Sequence, residues 1–399
     1  MNKHEKRLNI LTVAVFLVLL YTLAVIFLLK PAQSFSEEEN RNLQEFPAWN
    51  AEEFFNGAYS TKINDYFADQ FPFRNAFVGA KSLLETALLK QENNNVLLGS
   101  NGQLAVRGST LTYFDEDGDK KSATLDFYFP EKLEEEAGYI RALRDSLEEA
   151  GRQFALVMPP RTVDVASSAF RYPADHSEAL LADVSRLFAD CNYVDLAGDM
   201  KARYDAGEYV YYKTDHHWTT CGAFYGANAL LNALGKELLK ETDFTPEVAS
   251  TDFNGTLYST SGIHWLAPDT IEYWVPEDSL RVTSWKSGKE EPGRLYDRSY
   301  LEHKDKYSSF LGGNQPLCVL KNPAITDGSK LLLIRDSYSD SLAPFLAQRF
   351  SEVHLLDLRY YHASVADYMA EQGIDTAVVL YSVSNFITDR NLIYLAPRG

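Results

Sequence analysis

The sequence predicts an α/β protein in which helices cover a mostly parallel sheet, preceded by one transmembrane helix. Short apolar runs typical of buried strands alternate with segments of helical period between residues 130 and 381. Near its N-terminus the chain also has an uncharged apolar run, Leu8 to Leu29. Residues 240–325 break the alternation with Asn-Gly and Gly-Gly steps among short strand-like runs, which predicts a mainly β insertion.

The N-terminal run has the length of a membrane anchor. At about 1.5 Å per residue, residues 8–29 form a helix about 33 Å long, and a bilayer core is about 30 Å thick. Three basic residues precede the run and one, Lys30, follows, so the positive-inside bias places the N-terminus in the cytoplasm and the rest outside. A cleaved signal peptide is the alternative, but its apolar core usually spans about 7 to 15 residues. We therefore expect residues 1–30 to form an uncleaved single-pass anchor.

Composition excludes one class of partner and limits disulfide bonding. The net charge is −18, and a nucleic-acid-binding surface is basic, so we expect no nucleic acid partner. The three cysteines, Cys191, Cys221 and Cys318, allow one disulfide at most, and burial as small apolar residues is the better interpretation.

The first extracytoplasmic segment, residues 31–92, is predicted to be a membrane-proximal helical arm. Its Pro72 should end one helix and start another that runs through Val78 to Lys90. The main domain, residues 93–399, then opens with a β-hairpin whose turn is an Asn-Gly pair.

The remaining elements alternate in the way that produces a parallel sheet. Ligands of such sheets bind at the carboxyl ends of the strands. The predicted helices cover residues 130–150, 177–189, 219–234 and a segment ending near 369, and the predicted strands cover residues 154–158, 192–196, 331–334, 353–357 and 376–381.

Asp215, His216, His217 and Trp218 are the most chemically informative run of the chain. On an extended segment alternate residues share a face, so Asp215 and His217 are expected to lie on one side. A carboxylate that orients an imidazole makes it a useful general base for a nearby nucleophile.

Ser337 is the predicted nucleophile because it follows the buried strand 331–334 at a turn into a helix. The helix is expected to begin near Asp340 or Ser341, and backbone N–H groups at its start could hold a developing oxyanion. The alternative is structural, with Asp215 and His216 capping the helix near Thr219 and Ser337 only starting a turn.

Together these motifs resemble the DHHW family of bacterial exported proteins, which is related to the SGNH-like alginate O-acetyltransferases. The resemblance implies an SGNH-hydrolase-like sheet flanked by helices, with Asp215 orienting, His217 as base and Ser337 as nucleophile. The sequence departs from those relatives at Arg335-Asp336, where smaller residues are common, and at His216. The motifs that carry the resemblance are Glu39-Asn40-Arg41, residues 71–74, residues 98–102, residues 215–218, residues 254–259 and residues 336–339.

Further residues are candidates for substrate contacts, each with a structural alternative. The Ser337 N–H would be the first oxyanion donor, and Asn254 or Asn385 the second, although asparagine in a turn often serves the turn itself. Arg161, Tyr338 and His216 would line the pocket, with packing or ion pairing as the alternative. We expect no cofactor and no metal, because zinc sites gather three or four ligands and Asp215, His216 and His217 are too close in sequence to surround an ion alone.

The predicted function is that of a membrane-anchored, extracytoplasmic serine O-acetyltransferase or acyl-esterase acting on a cell-envelope or exported polysaccharide. By resemblance, a multi-pass membrane acyltransferase would supply the acetyl group. The alternative is a non-catalytic envelope scaffold or carbohydrate-binding protein, in which Trp265, Trp274 and Trp285 would stack on sugars.

Overall fold

A computed structural model describes residues 3–36, 38, 41–114, 120–125, 128–171, 177–286 and 288–396. The chain divides into two compact units, Met1–Leu89 with Gly262–His264, and Lys90–Ser261 with Trp265–Gly399. The assignment of residues 31–92 to an arm and of residues 93–399 to a catalytic domain stays a prediction.

The helices and strands are numbered in chain order. The helices are α1 Lys3–Leu29, α2 Ala51–Phe55, α3 Ala58–Gln70, α4 Arg74–Ala87, α5 Pro130–Glu149, α6 Thr162–Val165, α7 Ser177–Leu187, α8 Ala197–Asp205, α9 Thr220–Ala233, α10 Thr256–Ser261, α11 Ser339–Leu346, α12 Val365–Gln372 and α13 Val383–Thr388. The strands are β1 Phe35–Ser36, β2 Arg41–Asn42, β3 Glu92–Asn93, β4 Val96–Leu98, β5 Leu104–Val106, β6 Ser109–Phe114, β7 Lys120–Leu125, β8 Gln153–Val157, β9 Tyr193–Val194, β10 Phe244–Phe253, β11 Asp269–Pro276, β12 Arg281–Lys286, β13 Lys289–Pro292, β14 Leu317–Lys321, β15 Lys330–Arg335, β16 Glu352–Leu356 and β17 Thr376–Leu380. Single 3₁₀ turns cover Ser100–Gly102, Ser167–Ala169, Glu241–Asp243, Arg298–Glu302, Lys306–Ser309 and Asn391–Leu395.

The first unit contains the predicted anchor and helical segment. Among the described residues, α1 is the one helix long and apolar enough to cross a membrane. The predicted break at Pro72 is confirmed, since α3 ends at Gln70 and α4 begins at Arg74. Glu39 and Asn40, part of the family motif, lie outside the described residues. The orientation of α1 stays a prediction.

The second unit is built on an eight-stranded sheet with the order β13-β12-β14-β16-β15-β17-β8-β9. The five strands from β16 to β9 are mutually parallel, so their carboxyl ends share one edge. β14 joins β16 antiparallel, and β12 and β13 extend the sheet antiparallel beyond it.

The predicted β content of residues 240–325 is confirmed, but part of it is not a separate insertion. β12, β13 and β14 belong to the central sheet, whereas β10 and β11 pair only with each other among the described strands. Local periodicity predicts strands but not their partners, so the sequence does not predict this antiparallel extension.

Both faces of the parallel strands are buried. In β15, Leu331 and Leu333 belong to a core cluster shared with α9 and α11, whereas Leu332 and Ile334 belong to one shared with α5 and α7. Alternate side chains therefore enter opposite helical layers. This burial on both faces explains the near-continuous apolar run. It also holds β15 firmly at the end that leads into Ser337.

The predicted hairpin is also present. β4 pairs antiparallel with β5, and between them Asn101 and Gly102 have φ of 56° and 76°. Asparagine and glycine tolerate this left-handed region, which is why the Asn-Gly pair was informative. All three cysteines are free, and Cys318 is buried.

An ion pair is buried beneath the turn that carries Ser337. Arg335 is fully buried, and its Nη1 lies 2.7 Å from Asp340 Oδ1. Burial raises the pKa of the Asp340 carboxyl, and the charge of Arg335 opposes that rise. The pair fixes the end of β15 to the first turn of α11.

We expect Asp340→Asn to lower the free energy of unfolding by about 3 to 5 kcal/mol, because it leaves the Arg335 guanidinium buried without a counter-charge. Urea unfolding of the full chain in detergent measures this change. Glu290→Gln, at an exposed position of β13, is the control and should change stability by less than about 0.5 kcal/mol. An Asp340→Asn protein as stable as this control would contradict the prediction.

Candidate active site

The Asp-His-His-Trp run lies in a tight loop rather than in an extended strand. The loop is closed by a bridge between Tyr211 and Trp218 and by a 3.2 Å hydrogen bond from Tyr212 N to His217 O. At its tip, Asp215 Oδ1 accepts a 3.0 Å hydrogen bond from the backbone N of His217. This side-chain-to-backbone turn, which aspartate favours, brings Asp215 and His217 together. The expected proximity is present, but the expected extended backbone was wrong.

The carboxylate of Asp215 is buried and accepts four hydrogen bonds. Its Oδ1 also accepts from His217 Nδ1 at 2.6 Å. Its Oδ2 accepts from Thr256 N at 2.8 Å and from Thr256 Oγ1 at 3.0 Å. Burial alone would raise the pKa of Asp215, but the two neighbouring imidazoles and these hydrogen bonds lower it well below its ordinary value. Asp215 is therefore held as an ionised acceptor.

Gly255 allows the chain to approach Asp215 this closely. A Cβ at position 255 would lie 2.3 Å from Asp215 Cβ and 2.4 Å from Oδ2. The backbone N of Gly255 donates to Thr214 Oγ1 at 3.1 Å, which holds the 254–256 loop against the Asp215 loop. The Asn254-Gly255 pair thus contributes to the site through Gly255, which lets the loop approach Asp215.

Ser337 lies on a turn between β15 and α11, at the carboxyl edge of the sheet. Asp336 Oδ1 accepts from Tyr338 N at 3.1 Å, and Asp336 Oδ2 accepts from Ser382 N and Asn385 Nδ2, both at 2.7 Å. The neighbouring β17–α13 connection therefore fixes this turn. The helix begins at Ser339, slightly earlier than predicted.

The three residues predicted as a triad form a continuous hydrogen-bonded row. His217 Nε2 lies 2.7 Å from Ser337 Oγ, and His217 Nδ1 lies 2.6 Å from Asp215 Oδ1. Because an ionised carboxylate only accepts, Nδ1 carries the proton and Nε2 accepts from the serine hydroxyl. This geometry can remove a proton from Ser337 as it attacks.

Two aromatic residues hold His217 and Ser337 in position relative to each other. The Tyr307 ring stacks on His217 with centroids 3.8 Å apart and planes 7° apart, and its hydroxyl donates to Ser337 O at 3.1 Å. Trp218 is fully buried, and its Nε1 donates to Tyr338 O at 3.0 Å. His217 and Ser337 are thus tied by backbone contacts as well as by their own hydrogen bond.

The structural alternative for the Asp-His-His run does not describe this loop. Thr219 provides the N-cap of α9, since its Oγ1 accepts from Gly222 N at 3.3 Å. Asp215 instead directs its carboxylate to His217 and Thr256. The chemical roles of Ser337, His217 and Asp215 stay predictions that this geometry supports.

The candidate oxyanion donors lie in different settings. Within the described part of the chain the Ser337 N–H has no backbone acceptor, whereas the next N–H, of Tyr338, is taken by Asp336. Asn385 donates one amide N–H to Asp336. Asn254 is half-buried beside Gly255, and its buried Oδ1 has no partner among the described residues. The Ser337 N–H is the donor that the turn leaves available.

Arg161, His216 and Tyr338 lie together on one cavity of about 210 Å³. The cavity adjoins the row because the rings of His216 and Tyr338, which line it, have centroids 3.9 and 5.0 Å from that of the His217 ring. Arg161 is bound to Asp164 through Nε at 2.8 Å and Nη2 at 2.7 Å, and the Tyr338 hydroxyl donates to His216 O. Both side chains shape the wall, and Arg161 Nε, Arg161 Nη2 and the Tyr338 hydroxyl hydrogen are already hydrogen-bonded within the protein.

His216 is held neutral over most of the pH range. Burial and then the neighbouring His217 imidazole lower the pKa of His216 to about 4, although the Asp215 carboxylate opposes the shift and 39% of the His216 side chain is exposed.

This pKa predicts a pH-dependent contribution to stability. The unfolded chain protonates His216 near its ordinary pKa of 6.5, so between about 6.5 and about 4 protons favour the unfolded state. We expect the free energy of unfolding to fall as pH falls through this window, and to fall less in His216→Gln. The control His303→Gln, at an exposed histidine, should retain the wild-type slope. Identical slopes in all three proteins would refute the prediction.

Asp215, His216 and His217 could also present ligands to a metal ion, since one ligand atom from each lies within 4.8 Å of the others. Binding an ion through His217 would replace its hydrogen bond to Asp215 or to Ser337. The arrangement therefore favours proton transfer, and the expectation of no metal stays a prediction.

Three residues that position the site were not predicted. Thr256 and Tyr307 contact the row from segments distant in sequence, and Asp269 accepts from Lys213 N at 2.9 Å and Thr214 N at 2.7 Å. Thr256 follows the Asn-Gly pair, and the sequence distinguishes it only as part of a family motif. Nothing local in the sequence distinguishes Tyr307 or Asp269.

The fold and the site define an α/β protein with a serine–histidine–aspartate row at the carboxyl edge of its sheet. The DHHW protein family model matches residues 162–356. Among curated proteins, the probable alginate O-acetylase AlgJ of Pseudomonas putida is 24% identical over 225 residues, which are 54% of this chain and 52% of AlgJ. The chain thus spans about half the length of this relative. The predicted resemblance to the DHHW family and to alginate O-acetyltransferases is confirmed.

Solved structures confirm the fold class. A DHHW family protein from Eubacterium siraeum is 21% identical with a TM-score of 0.56, covering 75% of this chain and 97% of that one. Bacillus cereus PatB1 with a sulfonyl adduct is 21% identical with a TM-score of 0.61, covering 75% of this chain and 99% of that one. At these identities the likeness concerns the fold.

Proposed function

We propose that the protein is a membrane-anchored, extracytoplasmic serine O-acetyltransferase or acyl-esterase that acts on a cell-envelope or exported polysaccharide. The observation that carries the proposal is the row in which Ser337 Oγ lies 2.7 Å from His217 Nε2 and His217 Nδ1 lies 2.6 Å from Asp215 Oδ1. Similarity to a probable alginate O-acetylase supports acetyl as the transferred group and a polysaccharide as the substrate.

In the proposed reaction, Ser337 Oγ attacks the carbonyl carbon of an acetyl donor while His217 Nε2 takes the serine proton. The carbon–oxygen bond to the donor breaks, and the donor oxygen leaves with the proton from His217. A sugar hydroxyl then attacks acetyl-Ser337, gives its proton to His217, and releases Ser337, which recovers that proton. If water attacks instead, the product is acetate. The Ser337 N–H would stabilise the oxyanion at each step.

The anchor and the donor complete the proposal. α1 would hold the site outside the membrane with the N-terminus in the cytoplasm, because basic residues precede it. A multi-pass membrane acyltransferase would present the acetyl group at that surface.

The alternative, a carbohydrate-binding scaffold, has less support. Of its three tryptophans, Trp274 is buried and packs against Phe224, Trp285 is half-buried, and Trp265 is 43% exposed. A scaffold also gives no reason for the short contact between His217 and Ser337.

Covalent trapping tests the proposal. Phenylmethylsulfonyl fluoride should transfer its sulfonyl group to Ser337 Oγ with loss of fluoride, and peptide mass spectrometry should locate the adduct on that residue. The Ser337→Ala protein should carry no adduct, and His217→Ala should react at least about 100-fold more slowly because the base is absent. A folded wild-type chain that forms neither a sulfonyl nor an acetyl adduct would contradict the proposal.

A further inference from the structure

The two oxygens of Asp215 are linked to two different imidazoles. Oδ1 contacts His217 Nδ1 directly at 2.6 Å. Oδ2 contacts Thr256 Oγ1 at 3.0 Å, and that hydroxyl oxygen lies 2.7 Å from His216 Nδ1. One buried carboxylate therefore influences the orientation of both histidines, and Thr256 links it to His216.

The single proton of the Thr256 hydroxyl determines the tautomer of His216. If that proton pointed to His216 Nδ1, the 3.0 Å contact between Thr256 Oγ1 and the ionised Oδ2 would contain no proton and would be repulsive. Both contacts contain a proton when the Thr256 hydroxyl donates to Asp215 and His216 Nδ1–H donates to the Thr256 oxygen. A neutral His216 then has its lone pair on Nε2.

The polar groups on the wall of the cavity beside the row differ in what they can offer a ligand. The Arg161 guanidinium is bound by Asp164 and Ser177, and the Tyr338 hydroxyl is bound by His216 O. His216 lines the same cavity, and its Nε2 has no hydrogen-bond partner in the described ranges. A guanidinium carries only donors, whereas an imidazole lone pair at the cavity wall can accept a hydrogen bond from a ligand hydroxyl.

From these contacts we infer that His216 Nε2 forms a hydroxyl-binding subsite, which accepts a hydrogen bond from a hydroxyl of the acceptor sugar. The inference rests on the proposed function, because it assigns the acceptor's place at that same site. A sugar held there competes with water for acetyl-Ser337, since a positioned hydroxyl reacts as if at high local concentration. His216 thus favours transfer over hydrolysis, and Thr256 is the positioning residue that presents its Nε2.

The ratio of transfer to hydrolysis tests the subsite. The full chain in detergent receives p-nitrophenyl acetate as donor and either cellopentaose or a mannuronate pentamer as acceptor, and acetylated sugar and acetate are both quantified. In His216→Phe the ratio should fall about five- to tenfold, the loss of one hydrogen bond to the acceptor. His216→Gln, whose amide can place an oxygen near the Nε2 position, should recover part of the loss. The control His303→Phe, at an exposed histidine, should match the wild type.

A second measurement reports the tautomer without activity. In a protein with ¹⁵N-labelled histidine, two-bond ¹H–¹⁵N correlations at pH 7 should show His216 as the Nδ1–H form, and Thr256→Val should shift it toward the commoner Nε2–H form, with Thr256→Ser restoring it.

The outcomes separate this inference from the proposed function. Wild-type protein that forms no acetyl-Ser337 would contradict the proposed function itself. If acetyl-Ser337 forms, any one of three results would overturn the subsite alone. These are a ratio of transfer to hydrolysis in His216→Phe equal to that of the wild type, an Nε2–H tautomer of His216 in the wild type, and no transfer of acetyl from Ser337 to either oligosaccharide.

Discussion

Ser337→Ala should lower the turnover of a chromogenic acetyl ester by at least about 10⁴-fold, and His217→Ala should lower it to a similar extent. The reason is geometric, because Ser337 Oγ and His217 Nε2 are 2.7 Å apart and would act as one proton-transferring unit. Removing either member of such a unit removes most of its contribution, and the remaining rate comes from the oxyanion site and from binding.

The double variant distinguishes a unit from two independent contributions. If Ser337 and His217 act together, Ser337→Ala/His217→Ala should be no slower than either single variant within about threefold. Ser60→Ala, at an exposed serine of α3, is the control and should keep wild-type turnover. More than a tenth of wild-type turnover in Ser337→Ala would show that another group is the nucleophile.

The parts of this site that the sequence predicted are those encoded by local patterns. The apolar residues Leu331–Ile334 predict a buried strand, and a polar residue directly after it must lie at the carboxyl edge of the sheet. The spacing of Asp215 and His217 predicted their contact, although the cause is a hydrogen bond from the backbone of His217 to the Asp215 side chain rather than strand alternation.

The unpredicted parts depend on which distant segments pack together. Thr256 reaches Asp215 across 41 residues of sequence. Tyr307 lies in a 3₁₀ turn, where no periodicity marks the face that meets His217. The antiparallel extension of the sheet by β12 to β14 has the same origin, since the choice of strand partner follows from tertiary packing.

The second large effect is expected at Gly255, which contributes no side chain to the site. The backbone of Gly255 does not adopt a positive φ, so alanine is allowed by its conformation and the effect of Gly255→Ala is steric. Its Cβ would lie 2.3 Å from Asp215 Cβ, which is closer than carbon atoms can approach. Either the 254–256 loop or Asp215 must move.

Both movements damage the row. Asp215 is 2% exposed and is bound on both oxygens, so displacing it lengthens the contact with His217 Nδ1, while displacing the loop removes the two hydrogen bonds from Thr256. We expect Gly255→Ala to lower turnover by about 10² to 10⁴-fold, approaching the loss of about 10⁴-fold that is typical when the orienting aspartate becomes asparagine.

Gly293→Ala is the matched control, because its Cβ would also clash, at 2.5 Å from Ser284 Oγ, but at the antiparallel side of the sheet. Turnover is compared per folded protein, so that destabilisation common to both variants is removed. If Gly255→Ala and Gly293→Ala lose the same small fraction of turnover, the close approach of the 254–256 loop serves packing alone. If only Gly255→Ala loses turnover while its folded fraction is retained, the glycine is required because it lets Thr256 hold Asp215 in the position that orients His217.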